Sequence, residues 1–184
     1  TTDAVKKLRG EMSTKVTITV TRKGDPLPMV ITLTRETIKM ANIRSKVLDG
    51  GVAYVRINGF IQERTTIEFV EELNKVSAKL KEQGFAVPKH LILDLRNNGG
   101  GLLGNAVGIA AVFLPADKLV VSIRGRVPEN NKQYSTRLSD YRYTDREKNT
   151  TTDPLKGAPA WGQTVPLTVL TNQGTASASE IVAG

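Results

Sequence analysis

Ser177 and Ala178 lie in a run of small residues, Gly174-Thr175-Ala176-Ser177-Ala178-Ser179, directly after the apolar stretch 165–170. An apolar strand that turns sharply into a helix at a serine projects the hydroxyl into solvent with backbone N–H groups beside it, as in a nucleophile elbow. The chemistry such a serine suits is acyl transfer, in which buried or oriented N–H donors stabilise the oxyanion of the tetrahedral intermediate by several kcal/mol. Taken alone, a serine at a helix start is more often an N-cap than a nucleophile, and Thr175, Ser177 and Ser179 could all play that part.

A second turn has matching character. The nearly continuous apolar run 91–95 is followed by Asn97-Asn98-Gly99-Gly100-Gly101 and then by a helical stretch, 102–114, stopped by Pro115. Three successive glycines let another backbone come close, although a turn that merely needs positive φ would use them too. Ligands of parallel α/β sheets bind at the carboxyl ends of strands, where helix N-termini present their N–H groups. The two turns are therefore expected to share one sheet edge.

A base for Ser177 is harder to find. The sole histidine, His90, opens the strand whose far end, near Arg96, carries the glycine turn; six residues at about 3.3 Å each put it roughly 20 Å away. Lysine is the usual substitute where burial keeps it neutral. No lysine has an obviously buried context near Ser177, and Lys118 and Lys156 sit at segment edges. A competing pattern is Gly99, Gly101 and Gly104 in G-x-G-x-x-G spacing, with Asp117 at a distance suited to a ribose. Asp117 precedes the next strand instead of following it, and Asn97-Asn98 separates strand from glycines, which argues against a dinucleotide site.

Composition narrows the classes. With 184 residues, 39% of them hydrophobic, the chain can bury one core and a small appendage. Without cysteine there is no disulfide, thiolate nucleophile or sulfur-ligated zinc. The net charge of +8 is spread among acids, and aromatics make up 5%, too few for base stacking, so nucleic acid is not expected as a partner. No cofactor and no metal site are expected.

The elements that must position the two turns follow from periodicity. Thr2 is expected to cap a helix over 2–8, with Gly10 ending it in a left-handed conformation. Strands over 15–21 and 29–35 turn at Lys23-Gly24-Asp25. After a connector at 36–40, strands over 43–48 and 52–57 turn at Asp49-Gly50-Gly51. Thr65 and Glu68 form a capping box for a helix whose stripe is Phe69, Leu73, Val76 and Leu80, ended by Gly84. The run 91–95 is expected to be covered on both faces, and 118–123 to be another buried strand. Residues 125–164 form a surface excursion with weak strand signal around 134–143. The fold class implied is α/β with a mainly parallel sheet. The first 35 residues hold too little to be stable alone and read as the back half of a small β-rich domain.

These residues resemble a known family. Leu93-Asp94-Leu95-Arg96-Asn97-Asn98-Gly99-Gly100-Gly101, followed by Gly174-Thr175-Ala176-Ser177-Ala178-Ser179-Glu180-Ile181, is similar to the carboxyl-terminal processing proteases, also called tail-specific proteases. Gly51-Val52-Ala53-Tyr54-Val55-Arg56-Ile57-Asn58-Gly59-Phe60 resembles the strand that opens their core. Residues 1–35 look like the last helix and strands of their PDZ domain, which leaves 36–184 as a protease core with crotonase- and Clp-protease-like layering.

The resemblance implies endoproteolysis near substrate C-termini by a serine–lysine pair. It makes Ser177 the nucleophile, gives the oxyanion hole to Ala178 N–H with Gly99 or Gly100, makes Asp94 and Arg96 structural supports, and assigns Glu180 to cap the helix. Partners would be proteins or peptides with accessible C-terminal tails, in a periplasmic or other extracytoplasmic bacterial compartment. In that family the lysine follows the serine by roughly two dozen residues. The core is therefore expected to be truncated at its C-terminal end and the 184 residues to be inactive by themselves. The alternative is a peptide-binding or scaffold module that uses a free sheet edge.

Overall fold

A computed structural model describes residues 2–36 and 41–184. The chain divides into two compact units, Thr1–Met40 and Ala41–Gly184. Most of the expected connector, residues 37–40, lies outside the described residues.

In the first unit, helix α1 (Thr2–Leu8) is followed by the antiparallel hairpin β1 (Lys15–Val20) and β2 (Met29–Thr34). The hairpin tip uses Gly24 at φ 94°. Gly10 does not adopt the expected left-handed conformation. The helix ends under Arg35, whose Nε and Nη2 donate to the carbonyls of Leu8 (2.8 Å) and Lys7 (3.3 Å). Gly10 is small for a different reason: a Cβ there would stand 2.8 Å from that guanidinium.

The second unit is built on a four-stranded sheet in the order β10 (Leu167–Leu170), β5 (His90–Asp94), β4 (Val52–Ile57), β3 (Ile43–Leu48). The first three strands run parallel, and β3 pairs antiparallel with β4. Strand order advances in one direction from β4 to β5 to β10, so right-handed crossovers place α2 (Thr65–Glu82) and α3 (Leu103–Phe113) on the same face. Their packing brings the Phe69 and Phe113 rings edge-on at 6.0 Å.

That face is the core. Ala53, Val55 and Ile57 alternate along β4, Leu91, Leu93 and Leu95 follow β5, and Phe69, Leu73, Val76 and Leu80 cover them from α2, all fully buried. Burying each of the larger side chains contributes about 1.5–3 kcal/mol. The α2 stripe lies where its periodicity puts it, and Gly84, at φ 83°, ends the helix with Phe85 N–H bonded to the Leu80 carbonyl and Gly84 N–H to that of Lys81. The capping box does not form. Arg64 is the N-cap, and the Thr65 hydroxyl donates to the Gln62 carbonyl at 2.7 Å.

Two other expectations change. Strand β5 is buried on one face only; on the other, His90 and Ile92 are half-exposed and Asp94 is covered by polar side chains. The stretch at 118–123 forms β6 (Leu119–Ile123) but leaves the central sheet, pairing antiparallel with β7 (Lys132–Ser135). The excursion continues through α4 (Leu138–Tyr141) and the hairpin β8 (Tyr143–Asp145) and β9 (Thr150–Thr152). It returns through a 3-10 turn whose Trp161 Nε1 donates to Ser77 Oγ on α2 (2.9 Å). The fold is thus mixed α/β: among the described strands, parallel pairing is confined to β4, β5 and β10 and the other strand pairs are antiparallel, with one isolated parallel bridge between Phe60 and Gly101.

Candidate active site

Strands β5 and β10 pair in register from Leu91 with Leu167 to Asp94 with Leu170, and Leu95 N–H extends the ladder to the Leu170 carbonyl (2.9 Å). The chain therefore leaves both strands at one edge. His90 lies at the other end of β5, with Nε2 2.8 Å from Thr168 Oγ1.

Beyond β10 the chain turns at Ser177 into α5 (Ala178–Ala183). Ser177 is exposed and has φ 58° and ψ −121°. For a non-glycine residue this backbone costs about 1–3 kcal/mol and persists only where the surroundings impose it. Ser177 N–H donates to Glu180 Oε2 (2.7 Å), while the Ser177 carbonyl accepts from the N–H of Glu180 (2.9 Å) and of Ile181 (3.2 Å). Ala178 and Ser179, directly after it, are buried.

The glycine bend is seated against this turn. A Cβ on Gly100, at φ 91°, would lie 2.7 Å from the Ala176 carbonyl oxygen, 2.8 Å from Ala178 N and 2.8 Å from Ser177 Cβ. Only hydrogen fits there. On its other side Gly101 is locked to Phe60, where a Cβ would come within 2.3 Å of the Phe60 carbonyl carbon. Phe60 N–H donates to the Gly100 carbonyl (2.9 Å) and Leu102 N–H to the Phe60 carbonyl (2.9 Å).

One expected donor is already committed. Gly100 N–H donates to Asn98 Oδ1 at 3.0 Å, which leaves Gly99, of the two bend amides expected at an oxyanion hole, without an acceptor. Among the described residues, the N–H groups of Gly99 and Ala178 have no protein acceptor. Gly99 is exposed and open on its would-be side-chain face.

Asparagines, threonine and serine tie the two turns together, and sequence reading assigned them no such part. Buried Asn98 sends Nδ2 to the Ile57 carbonyl (2.9 Å), and its own carbonyl accepts from Ala176 N–H (3.1 Å) and Ser179 Oγ (2.9 Å). Asn97 and Asn172 are joined twice, by Asn97 N–H to Asn172 Oδ1 (2.8 Å) and by Asn172 Nδ2 to Asn97 Oδ1 (2.9 Å). Thr175 Oγ1 donates to the Leu95 carbonyl (2.9 Å). The Asn-Asn-Gly and Thr-Asn-Gln-Gly sequences signal turns, but nothing local in them says that each turn's amides are satisfied by the other.

Beneath the bend, Asp94 is fully buried and surrounded by donors. Arg96 reaches it through Nε (2.9 Å), Nη2 (2.7 Å) and its own N–H (3.0 Å), Tyr54 through its hydroxyl (2.6 Å) and Arg56 through Nη1 (3.1 Å). The Arg96 guanidinium holds the Asp94 carboxyl well below the usual carboxylate range, outweighing burial, which acts the other way. Asp94 in turn raises Arg96, and burial together with the Asp94 hydrogen bond raises the Tyr54 phenol. Arg56 also donates to the Arg96 carbonyl (3.0 Å). Arg96, directly before the bend, is therefore gripped through its backbone and its side chain.

No hydrogen bond among the described residues joins Ser177 to a lysine or histidine. Asp117, the acid a dinucleotide site would require, is exposed and paired with Arg137 Nε (2.9 Å). The arrangement thus has an exposed serine hydroxyl on one turn, with an unbonded amide at Ala178 and another at Gly99 on the neighbouring bend.

A family profile described as Peptidase family S41 matches residues 51–184. The chain is 32% identical over 182 residues to a carboxy-terminal-processing protease of Bartonella bacilliformis, covering 99% of this chain and 36% of that protein. It is also 32% identical over 186 residues to a carboxyl-terminal-processing protease of Synechocystis, with 99% and 36% covered. Among solved structures, a photosystem II D1 C-terminal processing protease aligns with a TM-score of 0.51 at 24% identity, covering 99% of this chain and 43% of that one. A putative S41 protease of Bacteroides fragilis aligns with a TM-score of 0.53 at 19% identity, over 91% and 43%. Those two structures share the fold. The chain spans about a third of the length of the curated relatives it matches. Resting on a profile match that takes in β4, the glycine bend and the Ser177 turn together, the conclusion is that this chain belongs to peptidase family S41.

Proposed function

We propose that these residues form the nucleophile-bearing part of a serine endopeptidase that cleaves protein substrates near their C-termini by a serine–lysine mechanism. The observation that supports this reading is the contact of Gly100 with the Ser177 turn, where an ideal Gly100 Cβ would lie 2.8 Å from Ser177 Cβ and 2.8 Å from Ala178 N, one residue along from the unbonded Gly99 amide. Ser177 Oγ attacks the scissile carbonyl carbon and its proton passes to a neutral lysine amine; the carbonyl oxygen, now negative, is held by the Gly99 and Ala178 N–H groups. The carbon–nitrogen bond then breaks, the lysine ammonium protonates the leaving amine, and an ester remains on Ser177. Water that loses a proton to the same amine hydrolyses the ester and restores the hydroxyl. Asp94, Arg96 and Glu180 hold the bend and turn in place without touching the substrate.

The lysine lies outside the 184 residues in this reading, so they have no peptidase turnover by themselves. Residues 1–35 supply the last helix and strands of a PDZ domain, and the protein works in the periplasm or another extracytoplasmic space of a bacterium. An unstructured peptide with an apolar C-terminal tail tests the chemistry. The 184-residue chain leaves it intact, whereas the polypeptide of the uninterrupted reading frame cleaves it and loses at least about 10³-fold in kcat on Ser177→Ala. Undiminished cleavage by Ser177→Ala would remove the serine mechanism.

A further inference from the structure

Ser179 carries a fully buried hydroxyl that the proposed reaction does not use. Burying a hydroxyl costs free energy unless it is hydrogen-bonded, and alanine would fill the same place without that cost. A serine in a helical turn ordinarily bonds a carbonyl of the turn before it. This one does not: Ser179 Oγ donates to the Asn98 carbonyl at 2.9 Å, across 81 positions of sequence. Ala176 N–H donates to the same oxygen at 3.1 Å. The backbone therefore already tethers the two turns at this point, and the hydroxyl adds a second donor to a carbonyl that has one.

The Asn98 carbonyl and the Gly99 N–H belong to one peptide group. The group is trans, so its atoms are coplanar and the N–H points opposite to the C=O. Two donors on the oxygen thus fix the direction of the N–H, which has no acceptor among the described residues. Within that plane Gly99 N lies about 2.3 Å from the oxygen, hence within roughly 5–6 Å of both Ala176 N and Ser179 Oγ, on either side of Ser177 in sequence. Donation to the oxygen also polarises the peptide and strengthens its N–H as a donor, as along any chain of hydrogen bonds. Without such a clamp the amide could turn, because glycine has no Cβ to restrain it and nothing stands within 4 Å of the would-be Cβ of Gly99. The Ala178 N–H is backed in the same way by backbone alone. It shares its peptide with the Ser177 carbonyl, which accepts from the N–H of Glu180 and of Ile181. Of the donors behind the two unbonded amides, the Ser179 hydroxyl is the one that a side chain supplies.

We propose that Ser179 is a positioning residue of the peptidase: by donating to the Asn98 carbonyl, it orients and polarises the Gly99 N–H that meets the negative oxygen of the tetrahedral intermediate. The inference rests on the peptidase reading above. It gives the second serine of Ser177-Ala178-Ser179 a part in the rate of the reaction, exerted through a peptide group that it does not belong to.

Nuclear magnetic resonance of the nitrogen-15-labelled 184-residue chain tests the orientation apart from catalysis. In Ser179→Ala the order parameter of the Gly99 amide is expected to fall below the roughly 0.85 of rigid backbone, and its nitrogen resonance to move upfield, while Leu93 keeps both values. Ser179→Cys retains the volume but donates weakly, so it should behave as the alanine variant does. A role in filling space would make it behave as serine instead. In the polypeptide of the uninterrupted reading frame, both variants should lose about tenfold in kcat with KM unchanged, the mark of an interaction made in the transition state alone. Native kcat in either variant, a KM that rises while kcat holds, or a Gly99 amide unmoved in both would each overturn the proposal. Were Ser179→Ala unable to fold, Ser179→Cys supplies the same comparison. Cleavage that survives Ser177→Ala is a separate result, which removes the serine mechanism and this inference with it; unaltered Ser179 variants would leave that mechanism standing.

Discussion

Gly100 has no room for a side chain because Ser177 occupies it: the ideal Cβ position of the glycine is 2.8 Å from the serine's own Cβ and 2.7 Å from the Ala176 carbonyl oxygen. Since Gly100 also has φ 91°, Gly100→Ala meets backbone strain and a backbone clash at once. The expected result is a loss of about 2–4 kcal/mol in urea unfolding. In the cleaving polypeptide, kcat should fall by more than tenfold, because Ser177 must move to make room.

The strain at Ser177 predicts the opposite sign for stability. At φ 58° and ψ −121°, glycine sits without the Cβ penalty that both serine and alanine bear. Ser177→Gly should therefore be more stable than Ser177→Ala by about 1 kcal/mol. Paired urea melts of the two variants check it, and equal midpoints would mean the turn stores no strain.

Asn98 satisfies Ile57 and Gly100 with one amide. Asn98→Ala leaves a buried carbonyl and a buried N–H unpaired, at about 2–3 kcal/mol in all. Amide hydrogen exchange at Gly100 should accelerate more than at core positions such as Leu93, since the loss is local.

Asp94 gives the fold a pH dependence whose sign follows from its depressed pKa. A carboxylate with a folded pKa below its unfolded value stabilises the fold at pH above the unfolded value, about 3.9, and that contribution is lost as pH falls below it. Unfolding free energy should thus drop between pH 5 and pH 3 more steeply in the native chain than in Asp94→Asn. At pH 7 the substitution should cost about 2–3 kcal/mol, less than breaking a fully buried pair because Arg96 and Arg56 remain partly solvated.

What could be read in the sequence was whatever depends on periodicity or on one residue's backbone. Strands β3 and β4 and the α2 stripe fall where alternation and the three-to-four repeat put them, because burying one face decides their pattern. Gly84 ended its helix as expected, for the same local reason. Thr65 and Glu68 had the spacing of a capping box, yet the Thr65 hydroxyl found the Gln62 carbonyl instead, a competition between neighbours that spacing cannot rank. Strand β6 was apolar enough for the central sheet and went elsewhere, since pairing partners are chosen by the whole topology. The same holds at the site: Ser177 and the glycine bend were legible as turns, whereas the amide exchange between Asn97 and Asn172 joins residues far apart in sequence and leaves no local mark.

That last pair spans 75 positions, which sets a timetable for the growing polypeptide. Contacts between such distant segments form late, after the entropy of closing the intervening loop has been overcome. A ribosome-bound chain that has emerged only as far as the bend lacks its companion turn. The bend's polar partners on the second turn are complete only once β10 has joined the sheet.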